Sequence, residues 1–588
     1  MRELALPLPL YGAVLVWLTW PLAAHLGTHL PDSSFQCQFD LLQMIWALAD
    51  QSHALVTAPR ALADANIYYP ARHALFYGDA GFGALPYFMP TFLLSRNPAL
   101  ASNLTFLVSL ALTASALHIV VHRWTGAHLA GLVAAWTFLT TRWVLWTWPA
   151  SALNYAVLQY FPLIMYLAAA PVAGRGRTFL LLLLIVLQGL VTIYMAVPML
   201  AGLGLIGVAR MMRHGTRRAG WQLTVALLVA GGALVIANAG YFVVRAENPS
   251  ILTQTAWGIA RPDLQIPVGL LGPWAATAVP VATLVVIAVG ALSFVLRQGT
   301  DPDERLAGAW LHGAFWTVTG IVLMLTPVVG WYGKRIVLGP LAVSSWLPML
   351  RRVDRLGIVG LMGLSVLTGL GFAECARRLR RGPGSATWAS PLLALLVVAS
   401  LYARYAYAVG SPASLGFTPL PASFPLTPAI GPNSPLLPIL RTTVGPLLEV
   451  PAMRLSGPAL DAPANARAMY RSIFHWRPLL NGYGGYWPDG FLDRMVLARE
   501  LPDGVALARL RQEARLELVL VHAGDFGRLE RDLCARGLGS TASCRPGVGS
   551  AERATWLDFA AAGGRPDLRL IARDGEDLLF DASAGAMK

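Results

Sequence analysis

The sequence has 588 residues, of which 56% are hydrophobic and 13% are charged, whereas soluble domains carry roughly 25% charged residues. This composition excludes a soluble enzyme, and the net charge of +14 does not indicate nucleic-acid binding, because basic membrane proteins keep their arginines in short cytoplasmic loops. The four cysteines show no CxxC or Cys/His spacing, which argues against a disulfide framework and a structural zinc site.

Apolar stretches that can cross a ~30 Å hydrocarbon layer contain roughly 17 to 25 residues, and we count about eleven of them. They lie at 5–25, 98–121, 128–147, 153–170, 178–193, 194–211, 220–243, 276–296, 307–329, 355–376 and 388–409. The run from Phe179 to Met211 is too long for one span, so we divide it at Tyr194. The predicted fold class is an α-helical polytopic membrane protein, and residues 1–409 form its transmembrane domain.

Arginines concentrate in alternate loops between these stretches, which is the positive-inside bias of membrane proteins. The arginines concerned are Arg123, Arg175, Arg177, Arg210, Arg213, Arg217, Arg218, Arg297, Arg305, Arg377, Arg378, Arg380 and Arg381. The bias predicts a multi-pass protein of the bacterial inner membrane with a cytoplasmic N-terminus and residues 410–588 outside the cytoplasm.

One predicted outer loop is also basic, which breaks the bias. It runs through Lys334 and Arg335 to Arg351, Arg352 and Arg355. Either a span is miscounted and the loop is cytoplasmic, or the loop is an anion site, since guanidinium groups bind phosphate oxygens bidentately.

The first outer loop, residues 26–85, is not a disordered linker. Leu41, Ile45 and Leu48 recur at helical spacing with polar residues on the other side, which predicts a helix lying in the membrane interface. Carboxylates, histidines and tyrosines follow this helix at a density that is high for so uncharged a protein.

The composition changes beyond residue 409. Residues 410–438 are rich in Pro, Ser and Gly and are predicted to be a linker. Residues 439–588 are predicted to form an extracytoplasmic α/β domain with strands at 446–450, 516–522, 568–572 and 578–581 and a helix around 492–511. Cys534 and Cys544 either pair in this compartment or stay free.

Several motifs resemble the GT-C superfamily of membrane glycosyltransferases, in particular an uncharacterised bacterial group related to mannosyltransferases and YfhO-like proteins. The motifs are Asp40 at the start of the outer-loop helix, His53-Ala54-Leu55, Asp64 to Pro70, the segment Asn154, Tyr155, Gln159, Tyr160 and Pro162, the Leu350-Arg351 to Arg355 element, and His475 to Tyr483.

The resemblance implies transfer of a sugar from a polyprenyl-phosphate donor to a lipid-linked or cell-envelope glycan acceptor at the outer face of the membrane. Asp40 is then the catalytic base, or it only caps its helix. Asp79 is a partner acid or the ligand of a divalent cation, or it is only a turn residue. Arg351, Arg352 and Arg355, joined by Lys334 and Arg335, bind the donor phosphate.

Other polar and aromatic residues of the motifs are candidates for substrate binding. They are His53, Asp64, Asn66, Tyr69, His73, Asn154, Tyr155, Gln159, His475, Trp476 and Arg477. Structural roles compete with this assignment: Asp64 and Asn66 can orient the loop through hydrogen bonds to its backbone, and Trp and Tyr are common at membrane interfaces. The rival function is a non-catalytic membrane protein on the same scaffold, either a lipid-handling partner in envelope assembly or a transporter.

Overall fold

The computed structural model describes most of the chain. The described residues are 6–32, 39–141, 144–145, 150, 152–169, 174–251, 281–298, 303–324, 328–331, 334–337, 353–381, 388–409, 417–419, 423–455, 460–535 and 547–583. Arg351, Arg352 and Cys544 lie outside them, and so do the side chains of Lys334, Arg335 and Cys534.

The described residues are mainly helical. The helices are α1 (Pro7–Leu18), α2 (Phe39–Thr57), α3 (Leu85–Ser95), α4 (Pro98–Thr125), α5 (His128–Leu139), α6 (Tyr160–Ala169), α7 (Arg175–Gly189), α8 (Ile193–Met211), α9 (Arg217–Ala237), α10 (Ala239–Glu247), α11 (Val281–Gln298), α12 (Glu304–Met324), α13 (Ile358–Arg381), α14 (Ala389–Ala406), α15 (Leu437–Thr442), α16 (Ala462–Ser472), α17 (Phe491–Glu500), α18 (Gly504–Ala514), α19 (Ala523–Ala535) and α20 (Val548–Ala561).

The strands are short. They are β1 (His29–Pro31), β2 (Val328–Trp331), β3 (Lys334–Val337), β4 (Tyr407–Val409), β5 (Phe417–Pro419), β6 (Leu426–Pro428), β7 (Leu447–Val450), β8 (Leu518–His522), β9 (Gly564–Arg565), β10 (Leu568–Asp574) and β11 (Asp577–Asp581).

The apolar stretches of the sequence fold as helices, which confirms the helical membrane class. Each predicted stretch overlaps at least one of the helices, and α7 and α8 are separated at 190–192, just before the predicted division at Tyr194. By length and composition, five helices of the described part can cross a membrane alone: α4, α8, α9, α12 and α13. The total number of spans stays a prediction.

The chain divides into two compact units. The helical unit comprises Met1–Phe35, Gly81–Ala239 and Thr255–Thr427. The mixed unit comprises Gln36–Ala80, Gly240–Gln254 and Pro428–Lys588, so it joins most of the first loop to the C-terminal part of the chain. The predicted boundaries of 1–409, 410–438 and 439–588 stay a prediction; within 410–438 the described residues form β5 and β6 and the start of α15.

Helix α13 is the central helix of the helical unit, where it packs against α5, α11 and α12. Small residues allow these helices to approach closely, as is usual between helices in membranes. A Cβ on Gly320 of α12 would lie 2.4 Å from the Cα of Gly360 in α13. We therefore expect even alanine at either position to separate the two helices.

The mixed unit contains a five-stranded sheet in the order β7-β8-β11-β10-β9. β7 and β8 are parallel, and the other neighbours are antiparallel. The hairpin β10-β11 turns at Gly575, whose φ of 58° suits glycine, as the Asp574-Gly575 pair predicts. The predicted C-terminal sheet is thereby confirmed.

Two sequence predictions in this unit were wrong. The single helix at 492–511 is two helices, α17 and α18, because Pro502 lacks an N–H group and Asp503 caps a new helix through the backbone N–H groups of Val505 and Ala506. Helix α2 was expected to expose one polar side, but Gln43, Asp50 and Gln51 are at most 9% exposed.

Candidate active site

The candidate site of the mixed unit begins with the pairing of two motifs that are far apart in the sequence. The Asp64–Pro70 segment and the His475–Tyr483 segment form backbone hydrogen bonds with each other. The N–H groups of Tyr68 and Tyr69 donate to the carbonyls of Asn481 and Leu479, both at 3.0 Å. The N–H of Leu479 donates to the carbonyl of Asn66 at 2.8 Å. The two motifs are thus one structural element.

Asn66 connects this element to helix α2. Its Oδ1 accepts a hydrogen bond from the indole nitrogen of Trp46 at 2.9 Å, and its Nδ2 donates to the carbonyl of Arg477 at 3.0 Å. Both ends of the amide are used by the protein itself. Asn66 therefore positions the paired motifs, although the sequence placed it among the residues that bind substrate.

Asp64 and His73 lie at the exposed edge of the same loop. The Oδ1 of Asp64 accepts a hydrogen bond from the backbone N–H of His73 at 2.8 Å, and its Oδ2 lies 3.8 Å from Arg72. His73 has a left-handed backbone with φ of 55°, and its ring lies 3.3 Å from Glu247. These contacts orient the loop, because a side-chain acceptor can hold such a strained turn in place.

Asp40 lies in the first turn of α2 and is half-buried. The hydroxyl of Tyr483 donates a hydrogen bond to its Oδ1 at 2.8 Å, and the ring of Phe39 packs edge-on against the Tyr483 ring with centroids 5.1 Å apart. A hydrogen bond from a phenol orients a carboxylate. Asp40 is therefore held in one orientation by the motif that ends at Tyr483.

Asp79 lies in a turn next to residues 483–486, the segment that contains Tyr483 and Tyr486. The hydroxyl of Tyr241 donates to the Gly78 carbonyl at 2.9 Å and accepts from the Ala80 N–H at 3.0 Å, which fixes the turn on both sides of Asp79. The N–H of Tyr486 donates to the Tyr77 carbonyl at 2.9 Å. Segment 483–486 thus bonds to the Asp40 carboxylate directly and to the backbone of Tyr77, two residues before Asp79.

Asp50 is a further carboxylate, and the sequence analysis did not include it among the site residues. It is 6% exposed, and burial raises the pKa of this carboxyl to about 7, although the backbone N–H of Asn66 acts in the opposite direction. Residues 41–49 are apolar except for Gln43, and a helix that is apolar all round is buried all round. This apolar run in the sequence could have indicated that Asp50 is buried.

We expect Asp50→Asn to stabilise the protein at alkaline pH. The folded-state pKa of Asp50 lies above its ordinary value of 3.8, so ionisation opposes folding as the pH rises toward about 7. The amide keeps an acceptor for the Asn66 N–H but cannot ionise. The variant should therefore gain about 4 kcal/mol at pH 8 and less than about 1 kcal/mol at pH 4, as measured by thermal unfolding across this range. An equal gain at both pH values would contradict the argument.

The His475–Arg477 motif is mainly structural. Burial lowers the pKa of His475 to about 4, and its Nδ1 accepts the Arg477 N–H at 3.1 Å. The Arg477 guanidinium donates to the Gly445 carbonyl at 2.6 Å and to the side chain of Thr443. Trp476 is the exception, because its half-buried ring stacks on His53 with centroids 4.1 Å apart. The stacked pair forms an aromatic surface at this motif.

A second group of predicted site residues lies in the helical unit. The Nη1 of Arg355 donates to the Tyr155 hydroxyl at 3.2 Å, and its guanidinium lies 5.3 Å and 5.2 Å from the ring centroids of Tyr155 and Tyr194. This cation-π arrangement fixes the orientation of the Arg355 guanidinium. Asn154 and Gln159 are buried in the same stretch of chain.

The remaining predicted site residues lie wholly or partly outside the described part of the chain. Arg351 and Arg352 lie outside the described residues, and of Lys334 and Arg335 only the backbone is described, in the β2-β3 hairpin. Among the residues that are described, no group of three or more His, Cys, Asp or Glu side chains is arranged to hold a metal ion. A divalent cation at Asp40 and Asp79 stays a prediction.

Comparison with known proteins supports the fold. No family model matches the sequence, and no curated protein matches it. The solved structure of the arabinofuranosyltransferase AftD from Mycobacteria is similar over 99% of this chain, at 15% identity and a TM-score of 0.53. The chain has the GT-C fold.

The chain spans 40% of the length of AftD, so the likeness concerns one part of that enzyme. ArnT from Cupriavidus metallidurans matches over 99% of both chains at 13% identity, with a TM-score of 0.36. The likeness to AftD confirms the GT-C resemblance of the sequence motifs at the level of fold, and the roles of individual residues stay predictions.

Proposed function

We propose that the protein is a membrane glycosyltransferase that transfers a sugar from a polyprenyl-phosphate donor to a lipid-linked or cell-envelope acceptor outside the cytoplasm. The observation that carries the proposal is the half-buried Asp40 carboxylate, oriented by the Tyr483 hydroxyl at 2.8 Å, in a chain with the GT-C fold. A fixed carboxylate of this kind suits general-base catalysis.

In the proposed reaction, Asp40 accepts the proton of the acceptor hydroxyl as that oxygen attacks the anomeric carbon. The bond between this carbon and the phosphate oxygen breaks, and polyprenyl phosphate leaves with the electron pair. Asp79 acts as an auxiliary acid or holds a divalent cation. Arg355, together with the arginines and lysine predicted beside it, neutralises the phosphate, because a guanidinium stays charged at any physiological pH.

The test is a transfer assay with the purified full-length protein in lipid vesicles. Radiolabelled polyprenyl-phosphate sugars are screened with an envelope lipid extract as the acceptor, and soluble nucleotide sugars serve as the control donors. We expect label to move from one polyprenyl-phosphate sugar into the acceptor fraction. Transfer from nucleotide sugars alone would overturn the donor class, and no transfer from any donor by folded protein would overturn the proposed function.

We expect Arg355→Ala to raise the KM for the donor by at least about tenfold, because a charge-assisted hydrogen bond contributes about 1.5–3 kcal/mol. Tyr155→Phe should give a smaller increase, because it removes the hydroxyl that accepts from Arg355 but keeps the ring. Arg378→Ala, at an exposed arginine near the end of α13, is the matched control. Equal KM values for Arg355→Ala and the control would remove Arg355 from donor binding.

A further inference from the structure

A groove of about 380 Å³ lies between the N-terminal halves of α7 and α9, within the helical unit. Its volume is within the range of roughly 300–1,000 Å³ that is common for small-molecule sites. Helix α7 contributes Arg175, Thr178, Phe179 and Leu182, which lie on one helical face because they are three or four residues apart. On this face the charged Arg175 comes first, and the apolar Phe179 and Leu182 follow it along the helix.

On helix α9, too, a charged residue comes first and apolar residues follow along the helix. Trp221, Gln222 and Val225 line the groove, and Arg218 lies one turn before Trp221 on the same face by spacing. The walls remain open to the surroundings, since Phe179 is 67% exposed and Trp221 is 56% exposed. The groove thus has arginines at one end and aromatic and aliphatic side chains along its length.

The described residues supply no carboxylate partner to these arginines. The sequence has no Asp or Glu between Asp79 and Glu247, a stretch that includes both helices. In the part of the chain that the structure describes, no carboxylate forms an ion pair with Arg175 or Arg218, both of which are exposed. Arg177 differs, because its guanidinium donates to the carbonyl of Leu167 at 2.8 Å and so closes the end of α6. Arg175 and Arg218 are therefore available to bind an external anion.

The side chain of Gln222 sets a second requirement, after the negative charge, for a ligand of this groove. Its Oε1 is shielded from solvent, and within the described residues it has no hydrogen-bond donor. A buried acceptor of this kind costs roughly 1–3 kcal/mol when it stays unsatisfied. A ligand that places a hydroxyl group beside Gln222 would remove that cost.

We propose that this groove binds an anionic glycerophospholipid whose head group carries a hydroxyl, of the phosphatidylglycerol class. The phosphate lies between Arg175 and Arg218, the head-group hydroxyl donates to Gln222, and an acyl chain follows Phe179, Leu182 and Val225. Basic pockets between membrane helices on the predicted cytoplasmic side are suited to such head groups. A polyprenyl monophosphate shares the charge and the chain but offers no hydroxyl of this kind to Gln222.

The proposal does not depend on the proposed function and is tested by binding alone. Native mass spectrometry of the delipidated full-length protein measures the binding of phosphatidylglycerol, phosphatidylcholine with the same acyl chains, phosphatidic acid and a polyprenyl phosphate. We expect one phosphatidylglycerol to bind on the order of tenfold more tightly than phosphatidylcholine. Equal binding of the two phospholipids would overturn the proposal, and so would displacement of phosphatidylglycerol by a lower concentration of polyprenyl phosphate.

Variants locate the binding in the groove. The double variant Arg175→Ala/Arg218→Ala should lose on the order of tenfold in affinity for phosphatidylglycerol, and Arg378→Ala should lose nothing. Gln222→Leu should weaken phosphatidylglycerol but not phosphatidic acid, which has no head-group hydroxyl. If the double variant fails to fold, Val225→Trp fills the groove without a change of charge. Wild-type affinity in whichever of these two variants folds would refute the proposal.

Discussion

Asp40→Asn is expected to reduce sugar transfer by about 10³-fold while the protein stays folded, since general acid–base catalysis contributes roughly 10²–10⁴-fold. The amide has the same shape and can still accept the hydrogen bond from Tyr483, so the contact that orients the side chain is kept. What it loses is the ability to take the proton of the acceptor hydroxyl. The loss should therefore fall on kcat, with little change in the KM of the donor.

The matched control is Asp558→Asn, which makes the same chemical change at an exposed carboxylate on α20. It should transfer sugar at the wild-type rate. Tyr483→Phe should reduce kcat by about tenfold, because Asp40 then loses one orienting hydrogen bond but keeps its charge. Full activity of Asp40→Asn with a purified lipid donor would remove Asp40 from the mechanism, whatever the other variants show.

Glu449→Gln is expected to destabilise the mixed unit by about 3 kcal/mol, because it removes the negative partner of the half-buried Arg471 and the buried His522. Glu449 is 2% exposed, and its Oε2 accepts from Arg471 at 2.7 Å and from the Nε2 of His522 at 3.1 Å. The Nδ1 of His522 donates to Asp577 at 2.7 Å. The cluster links β7, α16, β8 and β11.

The expected effect depends on pH. Burial acts to raise the pKa of Glu449, but the Arg471 charge and the His522 hydrogen bond outweigh it and lower this pKa to about 2. Burial and the Arg471 charge act to lower the pKa of His522, but its bonds to Asp577 and Glu449 raise it overall. The stability from Glu449 is therefore present above about pH 4.5, and that from His522 is present below about pH 6.5. The difference between wild type and variant should be largest between these values.

Hydrogen exchange of the β7 and β8 peptides in the full-length protein measures this destabilisation locally. Glu513→Gln is the control, because its ion pair with Arg509 is exposed, at 3.3 Å, and such pairs contribute about 0–1 kcal/mol. Faster exchange in Glu449→Gln alone is the expected result. Equal exchange in the two variants would show that the buried cluster does not stabilise the sheet.

The local features of this fold were predictable from the sequence. Apolar runs predict membrane helices because the bilayer requires about twenty such residues, and the division at Tyr194 followed from length alone. The β10-β11 hairpin was predictable because the turn needs Gly575 in a left-handed conformation. The parallel pairing of β7 with β8 was not, because no local pattern records which distant strand a strand will join.

The candidate site was predicted in parts and not as an arrangement. Asp64–Pro70 and His475–Tyr483 were recognised as separate motifs, but their pairing depends on hydrogen bonds between segments about 400 residues apart. Asn66 looked like a substrate ligand because a side-chain amide shows the same chemistry whether it binds a sugar or the Arg477 carbonyl. Asp50 was missed because a polar residue at helical spacing was taken to face solvent.

The pairing of those two motifs sets an order for biogenesis. Helix α2 and the loop after it leave the ribosome early, and Trp46 can bond to Asn66 at once, but Asn66 gains its acceptor at the Arg477 carbonyl only when the last fifth of the chain arrives. Until then the Asn66 side-chain amide lacks the acceptor that it has in the folded protein. A nascent chain that stalls before residue 475 would therefore expose an incomplete mixed unit to the quality-control proteases of the membrane, although most of its membrane helices would already be inserted.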